Sequence, residues 1–153
     1  MDVAGLAAPV IAHARVLAAM ERSGPSGVAT QVAWEDTRAA TWDRLRAALR
    51  PVADADARSA PGHLAAGVRA VTERRIVRLE RGEALGDAPE GELAALAGSP
   101  DADAVGCAFL VDDLRRLDES GRISGELGWA MRRWAWAELH RALDGHGRGG
   151  ASA

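Results

Sequence analysis

The chain has 153 residues, 48% of them hydrophobic and 27% charged, and its 19 basic and 22 acidic side chains give a formal net charge of -3. These values are typical of one globular domain with a hydrophobic core. They exclude the one-sided basic surface that sequence-independent nucleic-acid binding requires, and they disfavour a membrane surface for the same reason, so we expect no nucleic-acid and no membrane partner.

Several side chains that enzymes use are missing from the sequence. There is no lysine, asparagine or tyrosine, which excludes P-loop and Schiff-base lysines, a Cys-His-Asn site and phenolic acid–base chemistry. The single cysteine, Cys107, excludes an internal disulfide and a cysteine zinc site. The bias toward alanine, glycine and arginine is typical of a GC-rich bacterial genome. The acidic start of the chain and the lack of a long apolar run favour a cytoplasmic protein.

Apolar residues at helical spacing recur along nearly the whole chain. In the first segment Leu6, Val10, His13, Leu17 and Met20 follow one another at steps of three or four residues, which places them on one face of a helix. No useful alternating strand pattern is present. The predicted helices span roughly residues 3–22, 28–50, 59–82, 89–98, 99–121 and 125–144.

Prolines and serines indicate where these helices begin and end. Pro51 is expected to end the second helix, because proline inside a helix removes a hydrogen bond and clashes with the preceding turn. Ser59 and Ser99 are predicted N-caps, each with a proline in the turn that follows. The predicted fold class is therefore all-α, a single-domain bundle of about five to six helices over residues 1–144, with a disordered glycine-rich tail at 145–153.

The last predicted helix is apolar on more than one side. Trp134 and Met131 share one side of the helical wheel, whereas Trp129 and Trp136 lie nearly opposite. The helix is therefore expected to lie either at the centre of the bundle or at an interface. Since tryptophan is enriched at the centres of protein contacts, Trp129 and Trp136 are the predicted interface residues.

A second tryptophan pattern lies in the second helix. Trp34, Arg38 and Trp42 are separated by steps of four, so the guanidinium group can lie between two indole faces. In a cleft, this ladder would bind an anionic or aromatic small molecule. The alternative is that Arg38 extends along Trp34 to solvent or pairs with a carboxylate.

Two residues are candidates for acid–base chemistry. His13 lies in the apolar stripe of the first helix, and Glu138 lies on the Trp134 side of the last, where burial would raise its pKa. The alternatives are a hydrogen-bonded core histidine and a buried ion pair of Glu138 with Arg141 or Arg75.

No metal or cofactor is predicted. Glu138 and His140 are two residues apart and diverge on a helix, whereas bundle di-iron sites use Glu-x-x-His. The turn at 118–126 has the glycine of a calcium loop but lacks carboxylates at both ends of the loop.

Two functions remain open at this point. The first is a helical interaction or accessory protein, either a homodimer or a subunit of a larger complex. The alternative is a small helical enzyme or ligand-binding protein of bacterial specialised metabolism, with Arg38 as the anchor for an anionic or aromatic molecule and His13 or Glu138 as the acid–base group. An interaction function requires only the tryptophan pattern of the last helix, whereas catalysis also requires Arg38 and an acid–base group to lie close together.

Overall fold

The computed structural model describes residues 2–25 and 28–151, and these residues form six α-helices and no strand. This confirms the predicted all-α, single-domain bundle. The helices are α1 (Ala4–Ser23), α2 (Val28–Ala53), α3 (Ala60–Glu80), α4 (Glu92–Ala97), α5 (Pro100–Glu119) and α6 (Gly125–Ala151).

Two helices begin at the serines that the sequence indicates. The Ser59 hydroxyl accepts a hydrogen bond from the backbone N–H of Gly62 at 3.1 Å, and that of Ser99 accepts one from Ala102 at 3.2 Å. Both serines are extended, and a proline follows in the first turn. Each cap satisfies one of the N–H groups that the first turn of a helix leaves without a partner.

Two predicted helix ends are wrong. Pro51 lies inside α2, which runs to Ala53, because proline lacks only its own N–H, and the amide of Asp54, three residues later, still donates to the carbonyl of Arg50 at 2.9 Å. α6 continues beyond Asp144 to Ala151. Residues 152 and 153 of the predicted tail lie outside the described part of the chain. The division into a domain and a tail stays a prediction.

The core lies around α5 and α6. α5 packs against α1, α3, α4 and α6, and its middle, from Ala104 to Leu110, is buried on every side. The glycine in this stretch, Gly106, allows the close approach of α3, since an added Cβ would lie 3.2 Å from Leu64. α6 packs mainly on α5 and also on α1 and α3, so the last helix occupies a central place in the bundle.

The two predicted interface tryptophans of α6 have different surroundings. Trp136 is half-buried and packs on the core. Trp129 remains 56% exposed, and the guanidinium group of Arg133 lies 4.5 Å from its ring centroid. The bundle itself therefore covers much of Trp136 and leaves much of Trp129 open.

α1 has the length and the apolar composition of a membrane-spanning helix. Among the described helices, it is the one that is long and apolar enough to cross a bilayer by length and composition. Its inner face, with Val10, Ala14 and Leu17, is buried in the core, and the core helix of a soluble protein meets the same criteria. The cytoplasmic location stays a prediction.

Candidate functional site

The pocket with the most distinctive chemistry lies between α2, α5 and α6. Its volume is about 240 Å³, which is somewhat below the roughly 300–1,000 Å³ of typical ligand pockets. α2 and α6 each contribute an arginine and a tryptophan, and α5 contributes an arginine, an aspartate and two apolar side chains. The lining residues are Arg38, Trp42, Val111, Leu114, Arg115, Asp118, Arg132, Ala135 and Trp136.

Two indoles form one wall of this pocket. Trp42 and Trp136 meet edge to face, with their ring centroids 6.1 Å apart and their planes at 70°. Trp42 is 3% exposed, so its position is fixed by the core. Edge-to-face packing of this kind adds about 0.5–1.5 kcal/mol beyond the buried area, so the buried Trp42 supports the half-buried Trp136 ring.

Three guanidinium groups surround the same space. Arg115 lies over the Trp42 ring at 4.6 Å, and its Nε is 3.6 Å from Oε1 of Glu119. Arg132 reaches Oδ2 of Asp118 at 3.5 Å. Arg38 has no carboxylate partner within the described residues, and contacts the Trp34 ring at 5.7 Å instead.

The charges of the lining residues do not balance. The three arginines face a single lining carboxylate, that of Asp118, and its distance to Arg132 exceeds that of a normal hydrogen bond. Guanidinium groups bind carboxylate, sulfonate or phosphate oxygens through paired donors, and indole faces accept flat apolar rings. The arrangement therefore has the chemistry to hold an aromatic ring that carries an acidic substituent.

The predicted ladder is only partly reproduced at this site. Arg38 and Trp42 both line the pocket, but Arg38 contacts the Trp34 ring and Trp42 is covered by Arg115. Trp34, half-buried on the same helix, lies outside the pocket lining. Within α2, the ladder is therefore a single Arg38–Trp34 contact.

Of the arginines and tryptophans that line the pocket, the sequence did not point to Arg115 or Arg132, and it indicated Trp136 as an interface residue. Arg132 and Trp136 are four residues apart on α6, the same spacing as Arg38 and Trp42 on α2. That repeated Arg–Trp spacing was the available signal. Arg115 carried no comparable signal, because only the packing of α5 against α2 brings it to a tryptophan.

The two acid–base candidates lie elsewhere. His13 is half-buried on α1, and neither it nor Glu138 lines the pocket. Glu138 is 1% exposed. Its Oε1 lies 3.5 Å from Nε of Arg141 and has no hydrogen-bond partner within the described residues. The structure thus does not bring these candidates to the Arg38 pocket.

Glu138 belongs to a buried cluster between α5 and α6. Arg141 binds both carboxylate oxygens of Asp103, at 2.6 and 2.9 Å, and also donates to the sulfur of Cys107 at 3.5 Å. Burial raises the pKa of Glu138, while the positive charge of Arg141 acts in the opposite direction. The hydrogen bonds to Asp103 raise the pKa of Arg141, so this arginine stays charged.

Cys107 is poorly suited to nucleophilic chemistry. Its side chain is fully buried, and burial followed by the negative charge of Asp103 raises the pKa of the thiol well above its ordinary value. A reactive cysteine needs exposure and a lowered pKa. Cys107 is therefore a small core residue.

Within residues 2–25 and 28–151, no three side chains of the His, Cys, Asp or Glu type are grouped so as to hold a metal ion. In comparisons with known proteins, no family model, curated protein or solved structure matches the chain. Its function is therefore argued from the geometry of the pocket.

Proposed function

We propose that the protein binds a small aromatic anion in the pocket between α2, α5 and α6. The observation that carries the proposal is the convergence of Arg38, Arg115 and Arg132, from three different helices, on the wall formed by Trp42 and Trp136. Arg38 lines the pocket and has no carboxylate partner within the described residues, so its donors are available to the ligand's acidic group.

The size of the pocket limits the ligand. A dry cavity of about 150 Å³ accommodates benzene, so about 240 Å³ leaves room for a one- or two-ring aromatic system with one acidic substituent. The ring would lie against the half-buried Trp136, because Trp42 behind it is 3% exposed and covered by Arg115. The acidic group would lie toward the arginines, where charge-assisted hydrogen bonds are strongest.

Binding of matched probes tests the proposal. Naphthalene-2-sulfonate and the neutral naphthalene-2-sulfonamide share one ring system and differ in charge, and calorimetric titration measures their dissociation constants. We expect the sulfonate to bind at least about tenfold more tightly, since hydrogen bonds to charged groups are worth roughly 1.5–3 kcal/mol. Equal binding of the two probes, or no binding of either, would contradict the proposal.

A matched pair of arginine variants locates the site. Arg38→Gln should weaken sulfonate binding about fivefold, a loss of about 1 kcal/mol that is reduced by the solvent exposure of this side chain. Arg44→Gln is the control, because Arg44 is also exposed on α2 but does not line the pocket. An equal loss of binding in both variants would indicate a general charge effect.

A second candidate, self-association of the chain through Trp129, is favoured by one observation. The Trp129 indole is 56% exposed, and beside it Arg133 pairs with Asp87 at 2.8 Å. In a twofold contact both copies would use this same patch of apolar and charged groups. Light scattering over a concentration series tests this, with Trp129→Glu expected to dissociate a dimer and Val32→Glu, at another exposed apolar residue, expected to leave it intact. A wild-type monomer at every concentration would remove this candidate.

A further inference from the structure

A continuous series of ring contacts leads from the pocket to α1. Beyond the Trp42 contact, Trp136 lies 6.2 Å from the imidazole of His140, with the ring planes at 31°. Nε2 of His140 in turn lies 3.0 Å from Oε2 of Glu21, near the end of α1. The indole that forms the pocket wall is thus held between Trp42 on one side and an imidazole–carboxylate pair on the other.

We propose that His140 is a positioning residue for the Trp136 wall, and that protonation of His140 tightens binding of the aromatic anion. The proposal rests on the proposed function of the pocket. It adds a regulatory group that does not itself touch the ligand, since His140 is not among the lining residues.

Protonation of His140 changes its interactions with both Glu21 and the Trp136 indole. Nε2 donates to Glu21 in either state, because an ionised carboxylate only accepts hydrogen bonds. A proton on the second ring nitrogen turns this hydrogen bond into an ion pair and places a cation beside the Trp136 indole. The His140 side chain is 15% exposed, so solvent screens these interactions only partly.

Fixing the orientation of the Trp136 indole raises the affinity of the pocket without any new contact to the ligand. The apparent affinity of a pocket falls with the fraction of molecules in which the pocket is not formed. Fixing the Trp136 ring before the ligand arrives raises the competent fraction and lowers the entropy that binding must remove. Cation–π contacts worth about 0.5–1 kcal/mol correspond to a two- to fivefold change in affinity.

Within residues 2–25 and 28–151, Glu21 is the carboxylate that pairs with His140. The other ion pairs of the C-terminal part of α6 with α1 and α5 are Arg22 with Asp144 at 3.7 Å, Arg141 with Asp103 at 2.6 Å and His146 with Asp101 at 2.8 Å. Each of these carboxylates has a partner other than His140. α2 contributes the uncharged indole of Trp42. The arginines of the pocket stay protonated throughout the neutral range, so they do not contribute a pH dependence of their own.

Calorimetric titration with naphthalene-2-sulfonate at several values between pH 5.5 and 8.5 tests the proposal, because this strong-acid anion keeps its charge throughout. We expect binding to be about two- to fivefold tighter at the acidic end. Reciprocity then requires proton uptake on binding near neutral pH, measured as a dependence of the binding enthalpy on the ionisation enthalpy of the buffer.

Three variants identify the group responsible. His140→Gln keeps an amide donor toward Glu21 and should bind with an affinity that no longer depends on pH. Glu21→Gln, at an exposed position, should reduce the pH dependence and provides a second test if His140→Gln does not fold. His63→Gln, at an exposed histidine of α3, should behave like the wild type.

The outcomes separate this proposal from the proposed function. Sulfonate binding that is independent of pH in the wild type, or equally dependent on pH in His140→Gln, overturns the role of His140 and leaves the binding function intact. A protein that does not bind the sulfonate at any pH overturns both.

Discussion

Replacing Glu138 by glutamine should stabilise the protein at neutral pH. The carboxyl group is 1% exposed, and its Oε1 has no hydrogen-bond partner within the described residues. Arg141 already binds Asp103 through two hydrogen bonds and approaches Glu138 only at 3.5 Å. The ionised form of Glu138 is therefore incompletely compensated, and a neutral amide of the same shape removes its charge.

The magnitude follows from the cost of a buried polar group without a partner, about 1–3 kcal/mol. Because the glutamine carbonyl keeps part of that cost, we expect a gain near the lower end, about 1 kcal/mol. For a domain of this length, about 1 kcal/mol corresponds to a rise in Tm of roughly 2–4 °C. Glu126→Gln, at an exposed position at the start of α6, is the control and should leave Tm unchanged.

The stability difference between Glu138→Gln and the wild type should change with pH in a defined direction. Burial raises the pKa of Glu138 from its ordinary value of 4.5, so the folded state holds the proton to a higher pH than the unfolded state. The contribution of this carboxyl to stability is complete below its unfolded-state pKa and is lost as the pH rises through its folded-state pKa. The advantage of Glu138→Gln should therefore grow from pH 4 to pH 8.

Thermal unfolding followed by circular dichroism at those pH values provides the measurement. A Glu138→Gln protein that is less stable than the wild type at pH 8 would refute the reasoning. It would show that the positive charges of Arg141 and Arg75 outweigh the cost of burial.

Two further predictions concern close packing and burial. Gly62→Ala should destabilise the fold by about 3 kcal/mol or more in denaturant unfolding, because the added Cβ would lie 1.9 Å from the backbone oxygen of Asp56. The control, Gly67→Ala, should cost much less, since its Cβ meets the movable end of the half-exposed Leu96 side chain, and equal losses would contradict this account. Cys107, buried with a raised pKa, should react with a thiol reagent such as dithionitrobenzoate only after unfolding. Stoichiometric labelling of the native protein would show that this burial is incomplete.

Local signals in the sequence predict the helices well and their ends less well. Ser59 and Ser99 are caps in the structure because their hydroxyl groups act on amides only three residues away. The helix end predicted at Pro51 is wrong, since proline disturbs a helix only locally and the following turn still forms its hydrogen bond. The end of α6 was also placed too early at Asp144. Beyond it, His146 binds Asp101 of α5 at 2.8 Å, a contact between helices that no local pattern encodes.

The candidate site shows the same division between local and long-range information. Arg38 and Trp42 both line the pocket because residues four apart share a helix face, although Arg38 contacts Trp34 and Trp42 is covered by Arg115. The sequence by itself thus determined the helical architecture, two of the nine residues that line this pocket and the classes of chemistry that the chain lacks. Only the tertiary structure decided that Arg115 and Trp136, rather than Trp34, complete the pocket, and that Glu138 lies away from it. Packing of α5 against α2 and of α6 against α5 brings these side chains together across large separations in sequence, and helical periodicity carries no information about which faces meet.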